Sequence, residues 1–244
     1  MGDALLLVAH GSRDPRHAAT VRALTRRIRS TRPGLRVSTA FLDFDAPSVP
    51  EELARAARRG APRVVVQPLL LTRAFHAKTD LPDALRRAPA SLTVRRARVL
   101  GPDPLLIAAL ERRLHEAGLA PDDRATTGVV LAAAGTGDPG AAAALAGIAR
   151  RWQRTGGWHS VRLACASRGP RTEDAVRALR AGGARRIAVA PYVLAPGRLP
   201  DRIAEGALGA GADVLGAVLG AAPELARLVL LRYDAAVRVP ALTG

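Results

Sequence analysis

Two histidines stand where a parallel α/β fold does its chemistry. His10 ends the apolar run at residues 4–10, and His76 follows a second such run, RVVVQPLLL at residues 63–71. Runs of this kind read as strands buried on both faces. In parallel sheets, ligands bind beyond the carboxyl ends of the strands. Strands one and three are neighbours in a flavodoxin-like order, which turns both imidazoles toward one crevice. Neutral imidazole ligates divalent first-row metals and titrates near pH 7. Two imidazoles with coordination positions to spare suit a metal held in transit better than a closed structural site. A carboxylate joins them: Asp43 follows the second strand in FLDFDAPS, at the same edge, with Asp45 just beyond. Imidazole with carboxylate suits iron(II), cobalt(II) or nickel(II). An Asp in a turn before Pro47 also reads as a cap or Asx turn. The other histidines read as solvent-facing: His17 at a helix start, His115 in a charged helix and His159 in a loop.

The elements that hold these residues alternate. Strands are expected at 4–10, 37–42, 63–71 and 92–100, and helices at 17–32, 50–59, 79–88 and 104–117. The first helix carries Ala18, Val21, Leu24 and Ile28 at helical spacing, and Pro50 opens the second. Such alternation implies a parallel sheet covered on both faces. The pattern then repeats. LLLVAHGSRDP (5–15) resembles VVLAAAGTGDP (129–139) at an offset of 124 residues, and GAPRVVVQP (60–68) resembles GARRIAVAP (183–191) at 123. The weaker pair is LGPDPL and LGAAPE. This is a tandem duplication. The expected architecture is α/β, with two tandem flavodoxin-like domains, each a parallel four-stranded sheet with helices on both faces. The expected boundaries are an N-terminal domain at 1–120, a linker at 121–127 and a C-terminal repeat at 128–244. The second copy has lost the histidines. Ala134 stands at the position of His10, and APGRLPDRI (195–203) is shorter than TRAFHAKTDLPDAL (72–85) and lacks His76's counterpart.

Composition excludes several classes. With 244 residues, the chain buries a core without disulfides or a structural metal. A single cysteine, Cys165, excludes a disulfide scaffold and Cys-based clusters, and reads as a small core residue. No apolar stretch is long enough to span a membrane, and the N-terminus is not a signal peptide, so the reading is a cytoplasmic protein without a membrane partner. The net charge is +16, with 37 Lys and Arg of which only Lys78 is lysine. The arginine excess reads as coding bias and solvated surface, with room for an anionic ligand. Seven aromatic residues are too few for a nucleic-acid stacking platform, and no nucleic-acid motif is present. Trp152 and Trp158, beside a Gly-Gly turn, read as packing.

HGSRDP (10–15), FLDFDAPS (41–48) and PLLLTRAFHAKTDLP (68–82), in this order and spacing, resemble the sirohydrochlorin chelatases, the class II, ATP-independent tetrapyrrole chelatases, in their two-domain form. The resemblance covers nearly all of the first copy and extends more weakly into the second. It implies two chelatase-type α/β halves facing a cleft, and an enzyme that inserts a divalent metal, Fe2+ foremost, into sirohydrochlorin for sirohaem. Cobalt insertion for cobalamin is the alternative. By position, the family's metal-handling histidines fall on His10 and His76, as catalytic bases and metal ligands. The acidic position, usually Glu, falls on Asp43, and Arg73-Ala74-Phe75 stands where the family often has Gly. Gly11, Ser12 and Arg13 fall in the substrate loop, with Arg13 docking carboxylates of the anionic macrocycle. The metal is then a substrate, no cofactor is permanently bound, and the chain acts as a monomer or homodimer.

Two readings compete. Gly135–Gly140 is a literal GxGxxG between a strand and a helix, the context of an NADP-binding oxidoreductase, with Arg168 placed for a 2′-phosphate. No acidic residue ends the following strand, and the segment aligns with HGSRDP as a worn repeat of that loop. A non-catalytic tetrapyrrole or metal carrier shares every residue and differs only in turnover. Ser12 lacks a nucleophile elbow and reads as a helix cap or a carboxylate contact.

Overall fold

The computed structural model describes residues 2–72 and 80–238. Its first sheet is parallel, in the order β2-β1-β3-β4: β1 (Ala4–Ala9), β2 (Arg36–Phe41), β3 (Arg63–Pro68) and β4 (Thr93–Arg96). Leu5 pairs with Val37 on one side and Val65 on the other. All six residues of β1 are buried, because a central strand covered on both faces has no polar side to show. Leu6, Val8, Val64 and Val66 pack toward α2 (Val49–Arg58) and α3 (Asp80–Leu85) through Leu53 and Leu81. Alternate residues point to the other face, which is covered by α1 (Pro15–Thr31) and α8 (Pro223–Arg238). The strand expected to reach residue 100 ends at Arg96, although Ala97 N still donates to Val66 O at 2.9 Å.

The second sheet repeats the first in the order β6-β5-β7-β8. Its strands are β5 (Thr127–Ala133), β6 (Ser160–Cys165), β7 (Arg186–Tyr192) and β8 (Val214–Leu215). α6 (Thr172–Ala181) and α7 (Arg198–Gly209) cover one face through Val176, Leu179, Ile203 and Ala207. α4 (Pro104–Glu116) and α5 (Pro139–Thr155) pack on β7 and β6. Cys165 lies buried at the end of β6, and Trp152 and Trp158 pack edge to face at 6.0 Å.

The compact units are not the linear halves of the chain. One comprises residues up to Gly101 together with those from Ala221 onward, and the other is Pro102–Gly220. Each unit thus takes one helix from the other half of the sequence. α4 follows β4 in the chain yet packs on β7, while α8 follows the second sheet yet packs on β3, β4 and α1. α8 is pinned by Arg32, whose two Nη atoms donate to the Asp234 carboxylate at 2.6 and 2.8 Å, and by Arg95, which donates to the Ala236 and Val237 carbonyls. The segment expected as a linker forms a 3-10 helix (Pro121–Thr126) inside the second unit and runs directly into β5.

Candidate functional site

The carboxyl ends of β1 and β2 bring together His10, Gly11, Ser12, Arg13, Asp43 and Asp45. Asp43 N donates to His10 O at 2.8 Å, and Leu42 N donates to Ala9 O at 3.0 Å. The strand pairing therefore runs past both strand ends into the loops. Gly11 has φ +96°, and a Cβ there would lie 1.7 Å from the Asp43 carbonyl oxygen. Only glycine allows this approach, which gives Gly11 a backbone role in seating the two loops. Ser12 N donates to Asp45 Oδ2 at 3.0 Å, a third tie between them.

The helix that follows is capped by Asp14, not by Ser12. Asp14 accepts from Arg16 N at 2.9 Å, with Pro15 in the first turn. The Ser12 hydroxyl instead accepts from Asp14 N at 3.1 Å, which leaves its O–H available as a donor. Arg13 is exposed, its guanidinium 5.5 Å from the centre of the Phe44 ring. Arg13 has thus an aromatic backing and a charge open to solvent.

Phe44 is the residue that the sequence reading passed over. Its ring is 53% exposed and stacks with His10, centroids 6.1 Å apart and planes inclined by 29°. Its φ is +62°, the only positive value among the described non-glycine residues. Asp45 N bonds back to Asp43 O at 2.8 Å, a γ-turn with Phe44 at its strained centre, and Asp43 Oδ1 accepts from Phe44 N at 2.8 Å. Asp43 is exposed, and one of its carboxylate oxygens holds this turn. An apolar residue set between two aspartates ahead of a proline was the available signal.

His17 departs from expectation. It is half-buried, and its Nδ1 is buried with no hydrogen-bond partner among the described residues. Burial pushes its imidazole below the usual histidine range. The neighbouring His10 adds to the shift, while Asp45 and Asp14 oppose it. His17 lies on the same helical stripe as Val21, Leu24 and Ile28, a spacing that marks it as inward-facing. His115 is half-buried, with Nδ1 bonded to Leu119 O at 2.7 Å at the end of α4. His159 is exposed, as expected.

His76, with residues 73–79, lies outside the described residues. Among the described residues, no three His, Cys, Asp or Glu side chains gather as a metal site.

The second unit carries the same loop without the histidine. Thr136 Oγ1 accepts from Asp138 N at 3.1 Å, as Ser12 does from Asp14, and Gly135 has φ +88°. Asp138 accepts from Ala141 N at 2.9 Å. One N–H at this GxGxxG helix start thus already donates to a carboxylate, whose negative charge disfavours a pyrophosphate there.

The fold places the chain in a known class. The structure of "SirB from Bacillus subtilis with Fe3+" superposes with a TM-score of 0.84 at 24% identity, covering 98% of this chain and 96% of that one. Two tandem α/β units of this kind define the two-domain chelatase fold. The CbiX family model matches residues 4–117 and, again, residues 128–236, and the chain belongs to the CbiX family. A sirohydrochlorin ferrochelatase of Priestia megaterium is 27% identical over 83% of this chain and 77% of its own length. A sirohydrochlorin cobaltochelatase of the same organism is 29% identical over 82% and 67%.

Proposed function

We propose that this chain inserts a divalent metal, Fe2+ foremost, into sirohydrochlorin. One observation carries the reading: His10 and Asp43 hold adjoining positions at the carboxyl ends of β1 and β2, their backbones joined by the hydrogen bond from Asp43 N to His10 O. Membership of the CbiX family supports the same chemistry.

The incoming metal is a substrate, held by His10 and His76 with Asp43 beside them. Insertion exchanges the metal's two positive charges for the two pyrrole N–H protons, which pass to the imidazoles acting as general bases and then to water. Ser12 Oγ–H and the Arg13 guanidinium dock the macrocycle's carboxylates by charge-assisted hydrogen bonds. Phe44 offers an apolar face for the ring next to the histidine. No cofactor stays bound between turnovers, and we place the reaction in the cytoplasm, with neither nucleic acid nor membrane as partner. Among the described residues, no helix is long and apolar enough to cross a membrane.

The cobaltochelatase relative supports Co2+ as a competing substrate. The test is an absorbance assay with sirohydrochlorin and Fe2+, Co2+ or Ni2+, run as initial rates. The fastest insertion is expected with Fe2+. A faster rate with Co2+ would move the assignment to cobalamin, and no insertion of any metal would leave only the carrier.

A further inference from the structure

A groove of about 740 Å³ runs along the free edge of β2 between α1 and α2. Arg22, Arg26 and Arg29 line it from α1, Arg36 from β2, Arg55 from α2 and Arg59 from just past the end of α2. All six are exposed. Among the described residues only Arg55 is ion-paired, with Glu52 at 2.7 Å, and Glu52 is the one acid lining the groove. Arg29 donates to Val37 O, and Arg36 to the Gly2 and Arg59 carbonyls. These acceptors are neutral, so the guanidinium charges there stay uncompensated.

The internal repeat separates design from coding bias, which would act on both copies alike. At the repeat offsets, Arg22, Arg29, Arg36, Arg55 and Arg59 correspond to Ala146, Gln153, Ser160, Ala178 and Gly182, and only Arg26 meets an arginine, Arg150. The structure supports this register. Gln153 bonds to Val161 N where Arg29 bonds to Val37 O. The matching groove beside β6 holds about 420 Å³ and is lined by Arg150 and Arg154 as its only charged residues. One copy concentrates arginine at its edge groove, and its duplicate, built from the same template, does not.

We propose that the β2-edge groove is a binding site for a polyanion, a molecule bearing several carboxylates or phosphates. Its size is that of a small-molecule site, and planar guanidinium forks match oxyanions two bonds at a time. None of its lining residues belongs to the His10 site, so the inference stands whether or not the chain inserts metal. The two sources of such chemistry are the rim of a polycarboxylate macrocycle and a soluble polyphosphate.

The test is calorimetric titration of the intact chain with tripolyphosphate and, separately, with the octacarboxylate uroporphyrin, at about 150 mM salt so that diffuse charge is screened. The double variant Arg26→Ser/Arg59→Ser alters side chains that make no hydrogen bond or ion pair among the described residues, and should weaken binding of the preferred ligand about tenfold or more. Arg150→Ser/Arg154→Ser, the control in the second unit, should leave affinity within about twofold. The ligand that responds identifies the source. Unchanged affinity for both ligands in the first variant, or equal loss in both variants, overturns the proposal.

Discussion

Gly11 and Asp43 approach so closely that a Cβ on residue 11 would sit 1.7 Å from the Asp43 carbonyl oxygen. With the three hydrogen bonds that tie the β1 and β2 loops, this contact sets their spacing and the position of His10 relative to the acidic turn. Gly11→Ala meets backbone, which cannot swing aside as a side chain would, and it also forces alanine into φ +96°. Urea unfolding should show a loss of about 3 kcal/mol or more, and metal insertion should fall with it.

Phe44 separates stability from function. Its left-handed backbone costs the fold about 1 kcal/mol, while a ring that is 53% exposed returns little burial. Phe44→Gly should therefore raise the unfolding free energy by about that amount. The same variant should raise KM for the tetrapyrrole, because the apolar face beside His10 is gone. Loss of both stability and activity would mean that Phe44 serves packing alone.

His17 should write itself into the acid limb of stability. Its folded-state pKa lies below the ordinary value of 6.5. Between the folded and unfolded values the unfolded chain binds more protons, so stability rises with pH through that window. The contribution is complete above about pH 6.5 and is lost as pH falls toward the folded value. Asp14, Glu51 and Asp234, with carboxyls held below their usual range, lose their contribution only at lower pH. His17→Gln should flatten unfolding free energy as pH falls below about 6.5 and leave in place the fall at lower pH that the carboxylates set.

The exchange of helices predicts how the chain can be cut. A fragment of residues 1–120 keeps the first sheet but lacks α8, which buries Leu225, Leu228, Val229, Leu230 and Tyr233 in that unit. Each such side chain contributes about 1.5–3 kcal/mol, against a total of about 5–15 kcal/mol for a domain. The fragment should show no cooperative unfolding transition, and supplying residues 121–244 in trans should restore one.

The sequence shows β1, β3 and the repeat plainly, because parallel strands buried on both faces leave unbroken apolar runs and two copies check each other. His10 is legible for the same reason: it is the first polar side chain after such a run. The helix exchange is not legible, since the repeat divides the chain by similarity while packing is decided by where the connections lead. Phe44 is not legible, because its strained φ is imposed by four tertiary and turn hydrogen bonds, not by local preference. His17 is legible in principle: it shares the stripe of Val21 and Leu24, and that spacing outweighs the usual exposure of a polar residue beside a helix start.

Metal insertion through His10 and His76 is tested most directly by following sirohydrochlorin absorbance with Fe2+ for the wild type, His10→Ala and His76→Ala, alongside tetrapyrrole binding. Each variant should insert metal about 100-fold or more slowly while still binding the macrocycle. Full insertion rates in either variant would contradict the assignment.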